Sequence, residues 1–150
     1  MPRIIIPNEV KVKVGIEQGC VYNFSPDTAI PNHYFIVLNK TPKDDEEIYL
    51  ASFTSNKEGV LRFIEHHKLD EKTYIEVEKG DCPFLSSSKE SCINCNQLRR
   101  YEIQKLIERI DASNGSCNYP KVPETLLKKI LEGVGVSRMI AKAVKIACGV

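Results

Sequence analysis

The hydrophobic period of this chain changes near Gln97, and that change limits the fold more than any other feature. Before it, apolar residues recur mainly at alternate positions in short runs; after it, they recur three and four apart. A period of two puts side chains on opposite faces of a strand, whereas a period of 3.6 gathers them into one stripe on a helix. Strands followed by helices, rather than alternating with them, disfavour a doubly wound sheet and predict an α+β fold. The expected packing is a small, strongly bent antiparallel sheet or β-barrel with helices on its outside. At 150 residues the chain matches one domain, expected over 1–150, with 1–97 mainly barrel and 98–150 a helical extension.

The pattern predicts particular elements. Glu9 to Ile16 alternates Val10, Val12, Val14 and Ile16 with charged or small partners, as a half-buried strand does. Gln18-Gly19 breaks it and Cys20-Val21-Tyr22 restarts it, before a loop of turn formers that includes Asn23, Ser25, Pro26, Asp27, Pro31 and Asn32. Tyr34 to Leu38 reads as a central strand, Lys40 to Glu47 as an exposed hairpin loop, and Ile48 to Thr54 as the returning strand. A short helix is expected over Glu58 to His67 and a strand over Tyr74 to Glu78.

From Gln97, Ile103, Leu106, Ile107 and Ile110 make the stripe of an amphipathic helix, with Arg99, Arg100, Glu102, Lys105 and Arg109 around it. Asn114-Gly115-Ser116 ends it. Pro123-Glu124 opens a second helix carrying Leu126, Leu127, Ile130 and Leu131. Gly133-Val134-Gly135 is expected to interrupt, and Ser137 to cap a last helix with Ile140, Ala143, Val144 and Ala147 on one face.

No apolar run approaches the ~20 residues that span a bilayer, and the N-terminus lacks a signal peptide's extended apolar region. A cytoplasmic location without membrane association is the expectation, with the six cysteines as reduced thiols. Net charge is +1, split into +5 from Leu98 onward (ten Lys/Arg against five Asp/Glu) and −4 before it. A basic helical end can attract phosphate, and can equally be a solvated face.

Three segments, in order, resemble the MazF/PemK/Kid toxin ribonucleases. His33-Tyr34-Phe35-Ile36-Val37-Leu38-Asn39 stands where that family has an Arg-Pro-apolar run ending in a small polar residue. Phe53-Thr54-Ser55 matches its strand ending in a Thr-Ser pair, and Ser91-Cys92-Ile93-Asn94-Cys95-Asn96-Gln97-Leu98 its strand leading into a glutamine and a helix. The resemblance spans Gln18 to Ile110. The chain departs from the family at His33, where the family arginine would stand, and at Tyr34, where its proline would. The segment from Asn56 to Glu90 is longer than the family's, and the two final helices are extra.

The resemblance implies a metal-independent endoribonuclease toxin that acts on single-stranded RNA without a cofactor. It also implies a homodimer and an antitoxin protein that occupies the RNA groove. Metal-free RNA cleavage needs a base for the ribose 2′-hydroxyl, an acid for the leaving 5′-oxygen, and donors or cations for the charged phosphorane. Histidine suits proton transfer near neutrality. His33, Thr54 and Ser55 are the catalytic candidates, with Thr54 and Ser55 donating to a phosphate oxygen and Arg99 or Arg100 supplying charge. If His33 starts one strand and Thr54 ends its antiparallel neighbour, the two share an edge of the sheet.

Other constellations read more plainly. Cys92-x2-Cys95, with Cys82 and Cys117, offers four thiols for zinc, but without a second close pair, and ordinary buried thiols fit as well. His66-His67 suits a solvated helix end, and Asp44-Asp45-Glu46-Glu47 a solubilising hairpin tip. Pro123 to Ala147 resembles a helix-turn-helix whose second helix would present Arg138, Lys142 and Lys145. Two alternatives therefore stand beside the ribonuclease: a non-catalytic barrel that binds protein or nucleic acid, and a DNA-binding regulator using the C-terminal helices. Gly-rich phosphate loops, nucleophile elbows and paired-carboxylate signatures are missing from the sequence.

Overall fold

A computed structural model of the chain describes residues 5–85 and 90–150. The elements run α1 (Asn8–Gly15), β1 (Val21–Phe24), β2 (His33–Val37), β3 (Glu47–Ser52), α2 (Lys57–His66), β4 (Tyr74–Val77), β5 (Ser91–Asn94), β6 (Arg99–Glu102), α3 (Ile103–Ala112), α4 (Glu124–Val136) and α5 (Lys142–Cys148). The fold is α+β and its pairings are antiparallel. Four strands form one sheet in the order β1-β2-β3-β6, and β4-β5 form a second. A single bridge joins them, where Thr54, just beyond β3, exchanges hydrogen bonds of 3.0 and 2.8 Å with Cys92 of β5. Among the described residues no pairing closes these sheets into the expected barrel; β3 bends out of one sheet to touch the other.

The large sheet is covered on both faces. On one face Ile36, Ala51 and Phe53 pack with Ile93 and Cys95 against Leu126, Ile130 and Val134 of α4. On the other, Tyr22, Phe24, Phe35, Val37, Ile48 and Leu50 pack against Val12 and Ile16 of the N-terminal segment and Leu106, Ile107 and Ile110 of α3. The Phe24 and Phe35 rings stack with centroids 4.4 Å apart. A third, smaller cluster sets Val60 and Ile64 of α2 over Cys92.

Four local expectations change. The Glu9–Ile16 segment is helical over Asn8–Gly15, because only Val12 and Ile16, four apart, are buried, while Val10 and Val14 face solvent. Arg99 to Glu102 is an edge strand paired with β3, so the helix starts at Ile103 and the helical extension opens with a strand. Gly133 and Gly135 lie inside α4 rather than interrupting it. A Cβ on Gly133 would stand 2.7 Å from both Cys95 Sγ and Lys72 O, so glycine is what lets α4 approach the β5 turn. Ser137 does not cap the last helix; it ends α4 as its C-cap, its N–H donating to Val134 O at 3.2 Å. Its hydroxyl accepts from Met139 N–H at 3.2 Å and donates to Asn96 Oδ1 at 2.6 Å, and the last helix begins only at Lys142, leaving Ala143 exposed. No helix among the described residues is long and apolar enough to cross a membrane.

Candidate functional site

One face of β3 changes chemistry along its length. Ile48 and Leu50 are fully buried under α3, and two residues on the same face carries Ser52, then Thr54. The polar residues begin where the helical cover ends, which is where a strand can offer hydroxyls without paying for their desolvation. The pairing Phe35↔Ser52, Ile36↔Ala51, Val37↔Leu50 sets Thr54 opposite His33 when the register is continued two pairs further, through Tyr34 and Phe53. Phe53 N–H donates to Tyr34 O at 3.0 Å and holds that continuation.

His33, Thr54 and Arg99 accordingly line one small niche with Ser52, Phe35, Pro26 and Ile30. Its volume of about 130 Å³ takes a phosphate-sized group rather than a whole nucleotide. His33 is half-buried, its ring meeting Phe35 edge-on at 6.4 Å. Arg99 is exposed and makes no ion pair among the described residues.

The outer wall of the niche is clamped to α3. Arg109 donates twice to Ser25 O, at 3.0 and 2.7 Å, and Ser25 N–H donates to Ser113 Oγ at 3.1 Å. The Ser25 hydroxyl lies against the carbonyls of Asp27 and Ile30, closing the loop on itself. A bidentate guanidinium fixes both position and orientation of the carbonyl it holds. Arg109, expected only as a flanking charge, thus seats Pro26 and Ile30 beside His33.

The other two candidates lie elsewhere. Ser55 is exposed and borders an open depression with Lys57, Glu58 and Glu90. The Lys57 ammonium there is held by Glu76 and, at 2.7 Å, by Glu90, and these carboxylates raise its pKa. Arg100 points to the opposite face of β6 from Arg99, 3.8 Å from Glu47, beside Tyr49, Met139 and Val144. Strand alternation separates the two arginines, where the expected helix would have kept them on neighbouring faces.

Next to the niche, and sharing Ser52 and Thr54 with it, is a larger cleft of about 330 Å³ bordered by Asn56, Gly59, Phe63, Asn94 and Gln97. Its size is at the lower end of the ~300–1,000 Å³ that holds small ligands. Sequence reading missed Ser52, Asn56, Phe63 and Asn94 as site residues. Ser52 had a signal, standing two before Thr54 in an alternating strand; Asn56 and Phe63 had none, because α2 reaches the cleft only through tertiary packing.

The remaining constellations disperse. Cys82 and Cys95 belong to the core under α4, Cys92 packs under α2, and Cys117 borders the opposite cluster. Among the described residues no three His, Cys, Asp or Glu side chains converge as a metal-holding group. His66 and His67 are exposed at the end of α2. Asp45 and Glu47 are less free than a solvated tip implies, since buried Asn39 donates to Asp45 Oδ2 and to Glu47 O at 2.9 Å each. Of the would-be DNA-reading side chains, Arg138 donates to His67 O and Lys145 to Gly135 O at 2.9 Å.

No family model matches the chain, and no curated protein matches it in sequence. Solved structures do. The chain superposes on one described as an endoribonuclease in complex with its cognate antitoxin from a mycobacterial species, at a TM-score of 0.51 and 10% identity, over 81% of this chain and 92% of that one. A MazE–MazF structure from Deinococcus radiodurans gives 0.49 and 10%, over 80% and 92%. At such identity the first likeness is one of fold, and it is the fold that the Thr54-Ser55 and Gln97 motifs led us to expect.

Proposed function

We propose that this chain is an endoribonuclease of the MazF/PemK toxin type, cleaving single-stranded RNA in the niche of His33, Thr54 and Arg99. The observation that carries this reading is the meeting of those three side chains, from β2, the residues just after β3 and β6, around a space of about 130 Å³. His33 takes the 2′-hydroxyl proton as the 2′-oxygen attacks phosphorus. The bond from phosphorus to the 5′-oxygen breaks, and that oxygen takes a proton from water at the open side of the niche. The products are a 2′,3′-cyclic phosphate and a free 5′-hydroxyl. Thr54 and Ser52 hydroxyls donate to the non-bridging oxygens, and Arg99 balances the added charge. Ser55 and Arg100 stand outside this chemistry. By the same reading the chain pairs as a homodimer, and an antitoxin protein silences it by covering the cleft.

The test is cleavage of a long, weakly structured RNA in excess EDTA. Wild type yields cyclic-phosphate ends, and His33→Ala and Thr54→Ala each lower the rate, the former by about 10²–10⁴-fold as removal of a general base does. Folded wild type that leaves the RNA intact overturns the proposal. In that case the occupation of the family's arginine position by His33 favours the second reading, a fold of this type that binds RNA without cutting it.

A further inference from the structure

The cleft beside the niche carries hydrogen-bond donors whose orientation is fixed from behind. Asn94 Oδ1 accepts from the backbone N–H of Asn96 at 3.0 Å, and from the Asn96 side-chain amide at 3.0 Å. A backbone N–H cannot accept, so the Asn94 carbonyl must face it and the Asn94 NH₂ must face outward. That NH₂ donates to Gln97 Oε1 at 3.3 Å, which turns the Gln97 NH₂ to the cleft. Across the opening, Asn56 Oδ1 accepts from Gly59 N–H at 3.1 Å as the cap of α2, which leaves the Asn56 NH₂ without a partner among the described residues. Gly59 makes this geometry possible, because a Cβ there would fall 2.4 Å from Asn56 Nδ2.

All three rim amides, Asn56, Asn94 and Gln97, therefore turn their carbonyl to an N–H of the protein, and the fixed donors facing the cleft are Asn56 Nδ2 and Gln97 Nε2, with the Ser52 and Thr54 hydroxyls left to the phosphate. Phe63 supplies an apolar wall. Those two fixed NH₂ groups pair with acceptors and offer nothing to a donor. Among nucleobase edges, guanine presents O6 and N7 and uracil presents O4 as acceptors, whereas adenine and cytosine present an amino donor at the equivalent place.

We infer that this cleft holds one unstacked base of the RNA strand and selects keto bases, guanine or uracil, over amino bases, adenine or cytosine. The inference rests on the reading of this face as the RNA site and adds to it which nucleotide lies next to the reacting phosphate. Ser52 and Thr54, shared by cleft and niche, place the base adjacent to that phosphate.

The experiment measures binding of short fluorescent 2′-fluoro oligonucleotides, which lack the attacking hydroxyl, by anisotropy. A guanine/uracil oligomer is compared with an adenine/cytosine oligomer on wild type, Asn56→Asp and Gln97→Glu. Both substitutions keep the inward acceptor, so the cap of α2 and the contact to Asn94 survive, while the outward donor becomes an acceptor. Added negative charge weakens all oligomers alike, so the ratio of the two affinities is the readout. Wild type is expected to prefer the keto oligomer by about tenfold, the size of one good base contact, and both variants to bring the ratio to one or below. No binding, no preference in wild type, or a ratio unchanged in both variants overturns the inference. Cleavage of the matching ribo-oligomers separates the two ideas. Base preference without cleavage removes the ribonuclease and keeps the cleft; cleavage without base preference does the reverse.

Discussion

The two sides of the turn after β5 differ in what they leave unfinished. Toward α4, Cys95 is fully buried, its thiol donating to Ile130 O at 3.6 Å, with Gly133 pressed so close that a methyl group has no room. Toward α2, one residue earlier, Asn94 opens onto a cleft where the NH₂ groups of Asn56 and Gln97 have no partner among the described residues. The first side spends every contact on holding the chain together; the second withholds several at a cost in stability. Unsatisfied polar capacity at the edge of a tightly packed core therefore singles out this side as the candidate binding face.

This contrast can be broken in three ways. The largest effect is expected on the open side. Arg99→Ala should slow RNA cleavage by about 10²-fold, on the scale of losing one charge-stabilising donor. Arg100→Ala, on the other face of the same strand, should change the rate less than about threefold, since exposed ion pairs contribute little. Equal losses in initial-rate assays would mean that the two arginines act through stability. On the packed side, Gly133→Ala should lower stability by about 1–3 kcal/mol, the cost of overpacking, read as a shift in the urea midpoint. An unshifted midpoint would show that α4 can withdraw from Cys95.

The smallest effect concerns pH. Burial pushes the thiols of Cys95 and Cys148 up to about 12 and that of Cys82 to about 11. A raised thiol pKa means the folded state keeps a proton that the unfolded chain gives up near ~8.5. Their contribution is whole below that value and is lost as pH climbs toward the folded values. Urea midpoints should therefore hold from pH 7 to 8 and decline from pH 9 to 11. Native alkylation at pH 8 should leave these three thiols unmodified; rapid labelling of Cys95 would contradict its burial.

Much of the fold was legible, and the misses share a cause. Tyr34 to Leu38, Ile48 to Thr54, Tyr74 to Glu78 and the α2 stripe announce themselves through apolar periodicity, and each element is found. Val10 to Ile16 misled because an alternating run also contains positions four apart, and a helix needs only those; burial of Val12 and Ile16 decided the outcome. Arg99 to Glu102 has no apolar pattern, since an edge strand rich in charge takes its shape from its partner and discourages further pairing. Gly133 read as a break because its reason, the approach of Cys95 and Lys72, is invisible along the chain. In the candidate site, the shared edge of His33 and Thr54 followed from hairpin arithmetic. The amide rim did not, because the outward face of Asn94 is set by a backbone N–H behind it and that of Asn56 by the start of a helix.

Strand β3 carries two messages in one stretch: Ala51 and Phe53 are written for the interior, and Ser52 and Thr54 for the cleft. A slip of a single residue against β2 would exchange them, turning both hydroxyls inward and presenting a phenyl ring to the niche. The burial of Phe53 is thus a proofreader for the hydroxyls. Any variant that accommodates the ring elsewhere loosens the spelling of the site, even though it touches none of the polar residues.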